Sequence, residues 1–306
     1  MFIRVSKRNL FSLILFINIL LSSNHLISQL DEIGSQRAFF SMHASPDRST
    51  LALTNSNYTS LDIIEAKGSI MVDIPNINSF QCKWSPDSEK LMVIISVYEK
   101  KRRENGLIVI NKMGAIDHTV IELTDQNIYP IGWTGNNTIH YLLDSELMTQ
   151  NIKGSKNEWD IPLIYAIKNK LYKKTGDLDT SLLYEANDMI LNLSYSFDAR
   201  LITFEVYGNN TMIIKNSDTV IDDIGNGNAP KVSPDGNVVI FMVLEDDGYQ
   251  ITSGDIYLWD SKTGNIDPVA NDPEKIEMNP IWISDHSFFY IDLNDGSVNE
   301  ILLEEH

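Results

Sequence analysis

The stretch WSPDSEKLMVIIS, Trp84 to Ser96, sets a short polar turn between an aromatic residue and a run of large apolar ones. Proline presets φ in such a turn, and aspartate bonds its own backbone two residues on. The β-branched and apolar residues that follow suit a strand. By itself the cluster Ser85, Asp87, Glu89 and Lys90 would also pass for an active-site phrase. Its echoes down the chain decide between the two readings.

Six registers share the pattern: ASPDRSTLALT (44–54), WSPDSEKLMVI (84–94), WTGNNTIHYLL (133–143), YSFDARLITFE (195–205), VSPDGNVVIFM (232–242) and WISDHSFFYID (282–292). Counted from the second residue of each, the anchors are 45, 85, 134, 196, 233 and 283, with spacings of 40, 49, 62, 37 and 50. Periods of about 40–50 residues with this grammar mark four-stranded propeller blades. Runs such as LALT, LMVIIS and VVIFMV are apolar on both faces, as inner strands between neighbouring blades should be. GLIVINKMGAIDHTVIEL (106–123) and GDIYLWDSKTGNIDPVAND (254–272) read as second hairpins. Helical three-four spacing is nearly absent, so the chain reads as all-β. The expectation is a single β-propeller over residues 29–306, with six four-stranded blades and with five or seven as alternatives. Chemistry would need one intact copy of the phrase, whereas blade shape tolerates drift, so Ser85-Pro86-Asp87 is read as a turn.

Two units depart from the pattern. In the third, LDSELMTQNIKGSKNEWDIP (143–162) reads as an insertion or irregular loop, followed by a hairpin at 164–184. The last unit is too short for an outer strand. Residues near Leu30–Ile33 are expected to supply it, closing the ring and removing its free edges.

The units with Ser-Pro-Asp resemble the Pro-Asp type of WD-like repeat found in TolB-like six-bladed propellers. The same repeat occurs in the propeller domains of prolyl oligopeptidase and dipeptidyl peptidase enzymes. Three of the six units keep the tripeptide; the others have Thr-Gly-Asn, Ser-Phe-Asp and Ile-Ser-Asp. The resemblance implies a scaffold, since in that family these residues shape and pack blades.

At the N-terminus Arg4, Lys7 and Arg8 precede the apolar run LFSLILFINILL, and small polar residues follow. Residues 1–28 therefore read as a secretory signal peptide, with an uncleaved anchor as the alternative. Its removal leaves 21 basic against 42 acidic residues, a formal charge of −21. So acidic a chain disfavours nucleic acid and anionic membrane surfaces as partners. The single cysteine, Cys82, excludes an internal disulfide, and its place between Phe80 and Trp84 suits a small buried residue. The expected location is secreted or periplasmic.

Catalytic motifs are missing. The sequence holds no G-x-S-x-G elbow, no HExxH and no CxxC, and no segment outside the repeats could form a hydrolase domain. GNGNAP (225–230) lacks the third glycine and the βαβ setting of a dinucleotide fingerprint. No catalytic or cofactor-binding residue is assigned, no cofactor is expected, and the metal content is left unknown. A His43/His286 pair with carboxylates at the channel mouth is conceivable as an active site. The acidic loops 244–255 and 220–228 do not match the spacing of a calcium loop and read as solvated turns. Trp84, Trp133, Tyr195 and Trp282 share one register, which favours packing between blades over a sugar platform. The leading expectation is an exported, non-catalytic propeller that binds a protein or an envelope component. The alternative is a glycan-binding or glycan-active propeller with its site at the central channel.

Overall fold

The computed structural model describes residues 26, 29–30, 38–65, 67–99, 102–208, 210–215 and 219–303. The N-terminal apolar run that reads as part of a signal peptide lies outside them. Among the described residues no helix is long and apolar enough to cross a membrane.

Seven antiparallel sheets follow one another along the chain. Blade 1 holds β1 (Ser41–Ala44), β2 (Thr50–Thr54), β3 (Leu61–Glu65) and β4 (Gly68–Met71). Blade 2 holds β5 (Ile77–Trp84), β6 (Lys90–Glu99), β7 (Arg102–Asn111) and β8 (Ile116–Thr124). Blade 3 is three-stranded: β9 (Ile128–Trp133), β10 (Thr138–Leu143) and β11 (Glu146–Asn151). So is blade 4, with β12 (Leu163–Ile167), β13 (Lys170–Lys174) and β14 (Thr180–Glu185). Blade 5 runs through β15 (Ile190–Tyr195), β16 (Leu201–Val206), β17 (Asn210–Lys215) and β18 (Thr219–Asn226). Blade 6 has β19 (Asn228–Val232), β20 (Val238–Asp246), β21 (Ile251–Asp260) and β22 (Ile266–Ala270). Blade 7 has β23 (Glu277–Trp282), β24 (Ser287–Asp292) and β25 (Val298–Leu302). The first strands β1, β5, β9, β12, β15, β19 and β23 touch in succession, and β23 returns to β1. They form the inner ring. The apolar runs expected as inner strands are therefore second strands, buried between the faces of adjacent blades.

The count of seven replaces the leading expectation of six. The long third unit is two blades, and 164–184 is blade 4 rather than a second hairpin. Blade 4 escapes the repeat because β12 turns into β13 through Lys168 and Asn169 alone, with Lys168 at φ 55°. A two-residue turn of this kind needs no Ser-Pro-Asp.

Where the repeat is present, its working parts are serine and aspartate. Ser45 Oγ donates to Asp47 Oδ1 at 2.6 Å and accepts from the Thr50 amide at 3.1 Å, while Asp47 accepts from the Ser49 amide. Blades 2, 5 and 6 repeat this network at Ser85/Asp87, Ser196/Asp198 and Ser233/Asp235. In each turn the residue after the aspartate has positive φ: Arg48, Ser88, Ala199 and Gly236. Proline takes no part in these bonds, so Phe197 replaces it in blade 5 without loss of the turn.

Six apolar clusters fill the joints between blades 7 and 1, 1 and 2, 2 and 3, 4 and 5, 5 and 6, and 6 and 7. The joint between blades 3 and 4 is different. There His140 is buried, shares hydrogen bonds with Thr134 and Thr149, and lies 5.1 Å from the Trp159 ring. The crossing segment 152–162 is tied on both sides. Glu158 accepts from the Asn137 amide, and Trp159 Nε1 and Asn157 Nδ2 donate to Asp177.

Of the segment expected to close the ring as an added strand, only Leu30 is among the described residues. Leu30 is helical and buried with Leu26 in the cluster between blades 7 and 1, while residues 31–33 lie outside the described set. Closure among the described residues runs through residues 38–40. The Phe39 amide donates to Gly296 O, and Asn279 Nδ2 donates to Phe40 O at 2.6 Å.

Candidate functional site at the axial mouth

The turns that join each first strand to the second all lie at one end of the ring. At that end a cavity of about 580 Å³ opens on the axis. Residues from blades 1, 2, 5, 6 and 7 line it, among them His43, Arg48, Lys83, Trp84, Tyr195, Lys231 and Trp282. Three lining side chains are cationic, Arg48, Lys83 and Lys231, and no lining side chain is acidic. In a chain of formal charge −18 that is a sharp local inversion.

The basic residues owe their positions to the aromatics of the shared register. Trp84 Nε1 donates to His43 O at 2.9 Å, Trp133 Nε1 to Lys83 O at 2.8 Å, and Trp282 Nε1 to Lys231 O at 2.9 Å. Each indole reaches back one blade and pins the residue just before that blade's own register position. The expectation that these aromatics pack blades is met, and the bond also fixes the mouth residues.

The electrostatics follow from this placement. Lys83 and Lys231 are half-buried, open to the channel and enclosed by protein elsewhere. Burial, together with the charge of Lys83, lowers the Lys231 ammonium from its ordinary value to about 8. Burial also lowers Lys83. His43 is held down to about 3, first by burial and then by the two lysines, so it is neutral at pH 7. Its Nε2 and Arg48 Nε are buried with no hydrogen-bond partner among the described residues. Neither lysine's ammonium forms a hydrogen bond or ion pair with a described residue; Glu205 acts on Lys231 only at longer range.

The conceivable histidine pair is not assembled in this cavity. His43 lines it, whereas His286 is exposed in the turn between β23 and β24 and does not. Among the described residues no group of three His, Cys, Asp or Glu could hold a metal ion. The positive mouth would in any case repel a divalent cation. Hydroxyls at the mouth are already engaged: Ser196 and Ser233 donate to aspartates, and Ser194 Oγ accepts from the Val232 amide. The acidic loops use their carboxylates on turn amides, Asp246 on Gly248, Asp247 on Tyr249 and Gln250, and Asp223 on Gly225. Cys82 is buried in the wall, its Sγ 3.3 Å from Ser79 O, with the thiol pushed up to about 12 by burial.

The sequence reading passed over Lys83, Lys231 and Arg48. A signal existed: the residue before the register position is basic in CKW and PKV and histidine in MHA. Its meaning depends on the ring that brings distant blades to one axis.

No family profile matches the sequence, and no curated protein does. Solved structures match in fold. The chain is similar to the β-propeller domain of Myceliophteria thermophila Cps50 (Swd1), with a TM-score of 0.62 at 12% identity over 87% of this chain and 96% of that one. Kluyveromyces lactis Hsv2 gives 0.57 at 8% identity over 88% and 94%. An oligogalacturonate lyase in complex with manganese gives 0.50 at 12% identity over 88% and 78%. Likeness this distant carries the fold and no activity, because one fold serves many functions. The chain is a single seven-bladed β-propeller, and the resemblance read from its repeats holds at that level.

Proposed function

We propose that this protein is an exported, non-catalytic binding propeller that holds a protein or cell-envelope partner at its axial mouth. The observation that carries the reading is the mouth itself, an open cavity with three cations and no carboxylate. A general base must hold a proton-accepting pKa near the working pH and lie within reach of the reacting group. His43, neutral with its Nε2 buried, does not meet that description; Ser196 and Ser233 are committed to turns, and Ser194 is bonded to the Val232 amide. Lys231, lowered to about 8, has the range of a base, but no carboxylate lines the cavity to act with it, and three cations around an open cavity suit recognition.

The test is capture of partners from an envelope extract on the immobilised protein. Phe197, at the rim and 68% exposed, is replaced by aspartate in one variant. Tyr249, exposed at the hairpin tip on the opposite face, is replaced by alanine in another. The reading expects a partner lost with Phe197→Asp and kept with Tyr249→Ala. Capture that survives Phe197→Asp and is lost with Tyr249→Ala would move the contact face to the other end of the ring.

A further inference from the structure

We propose that the axial mouth is a receptor for an organic polycarboxylate, bridged between Lys83 and Lys231 with Arg48 at the rim. The inference deepens the binding role above and rests on the same cavity.

Four observations converge. Positive side chains that share a confined site repel one another, and folded proteins normally pair or disperse them. Here Arg48, Lys83 and Lys231 line one cavity with no carboxylate among them, although the chain carries 42 acidic residues. Asp285 and Asp47 act on Arg48, and Glu205 on Lys231, only from outside the cavity, so a countercharge within it has a place to sit. Second, the lysines stand on strands of blades 2 and 6, which face each other across the axis, and Arg48 comes from blade 1 between them on the ring. Cations carried by three different blades suit a molecule with several carboxylates, each of which can meet one of them. Third, the walls between the cations are carbon: Trp84, Tyr195, Ile281 and Trp282 offer apolar surface to a skeleton. Phosphate sites usually add converging backbone amides or a helix N-terminus, and the described residues place no helix at the mouth. Fourth, about 580 Å³ is the size of a small-ligand site.

The lysines also predict how binding responds to pH. Lys231, held down to about 8 by burial and by Lys83, is part neutral near pH 8. A bound carboxylate favours its charged form, so binding at that pH takes up protons.

Isothermal titration calorimetry of the full chain with citrate, at pH 8 and in two buffers of different ionisation enthalpy, tests this. Inorganic phosphate and sulfate serve as comparison ions. The proposal expects one citrate per chain with net proton uptake, at least tenfold weaker affinity in Lys83→Met and in Lys231→Met, and unchanged affinity in Lys262→Met. Lys262 is exposed in the turn after β21. Removing a strained charge does not threaten folding, and a thermal melt of each variant confirms that it is folded. Absence of citrate binding, or binding indifferent to both lysines, overturns the proposal. So does phosphate or sulfate binding as tightly with the same lysine dependence, which would make the mouth a general anion site. If citrate fails while partner capture still depends on Phe197, the binding role stands and only the ligand class falls.

Discussion

The joint between blades 5 and 6 and the joint between blades 3 and 4 solve the same packing problem by opposite means. The first buries Leu201, Ile213, Val239, Phe241 and Trp259 in one apolar cluster. The second buries His140, Thr138 and Asn151 and fills the gap with segment 152–162, held by hydrogen bonds to both blades. Dispersion and burial sum over many contacts and do not depend on any one of them, whereas a polar network requires every partner in place. The apolar joint should fail by degrees and the polar one by the removal of single geometries.

The largest expected effect lies in the apolar joint. Phe241→Ala there removes a buried ring and should cost about 3–5 kcal/mol in urea unfolding. A cost below that of an exposed aromatic such as Tyr98→Ala would break the comparison. In the polar joint Gly135→Ala comes next. A Cβ at Gly135 would run into the Cβ of Glu158, which no rotamer change relieves. We expect a loss of about 1–3 kcal/mol, with hydrogen exchange faster in 152–162 and unchanged in blade 6. Uniform acceleration would mean that the joint does not act as a local unit.

Lys231→Met reverses the sign. Because the ammonium is held below its ordinary value, the unfolded chain binds the extra proton between about pH 8 and 10.5, and wild-type stability rises across that window. Below pH 8 the penalty is complete. Removing the charge should therefore stabilise the protein at pH 7 by on the order of 1 kcal/mol and remove Lys231's share of the alkaline rise, leaving that of Lys83. A lower melting temperature in the variant would show that Lys231 has a stabilising partner.

The last effect is a slope with pH. His140 in the polar joint and His43 at the mouth are both held down to about 3, chiefly by burial. Unfolded, they protonate near 6.5, so stability falls as pH drops from 6.5 toward 3. Between about pH 5.5 and 4 each should contribute a slope of about one proton, and His140→Gln and His43→Gln should each remove one such share. If only His140→Gln does so, the mouth is wetter than the joint.

The same contrast governs what could be read from sequence. The turn at Ser85 and Asp87 was legible because its bonds close within five residues, so the local spelling carries the whole structure. Blade 4 was hidden for two reasons. Its inner turn is the bare pair Lys168-Asn169, and one of its two joints is polar, so neither the tripeptide nor a long apolar run marks it. Leu26 is buried between blades 7 and 1, a contact that no local pattern announces. The mouth was illegible for a further reason. His43, Lys83 and Lys231 are single letters in three distant repeats, and only closure of the ring makes them neighbours. Ser85 and Asp87, which looked like chemistry, serve shape, and the lysine between Cys82 and Trp84 carries the charge.

The indole bonds to His43, Lys83 and Lys231 have one more implication. Each is accepted by a main-chain carbonyl, which every amino acid possesses, so the anchor is indifferent to the side chain it presents. Positions 43, 83 and 231 thus behave like sockets in a fixed frame, along with Gly132, Ser194 and Ile281 at the same level. Substitutions there can rewrite what the ring recognises without asking its wall to be rebuilt.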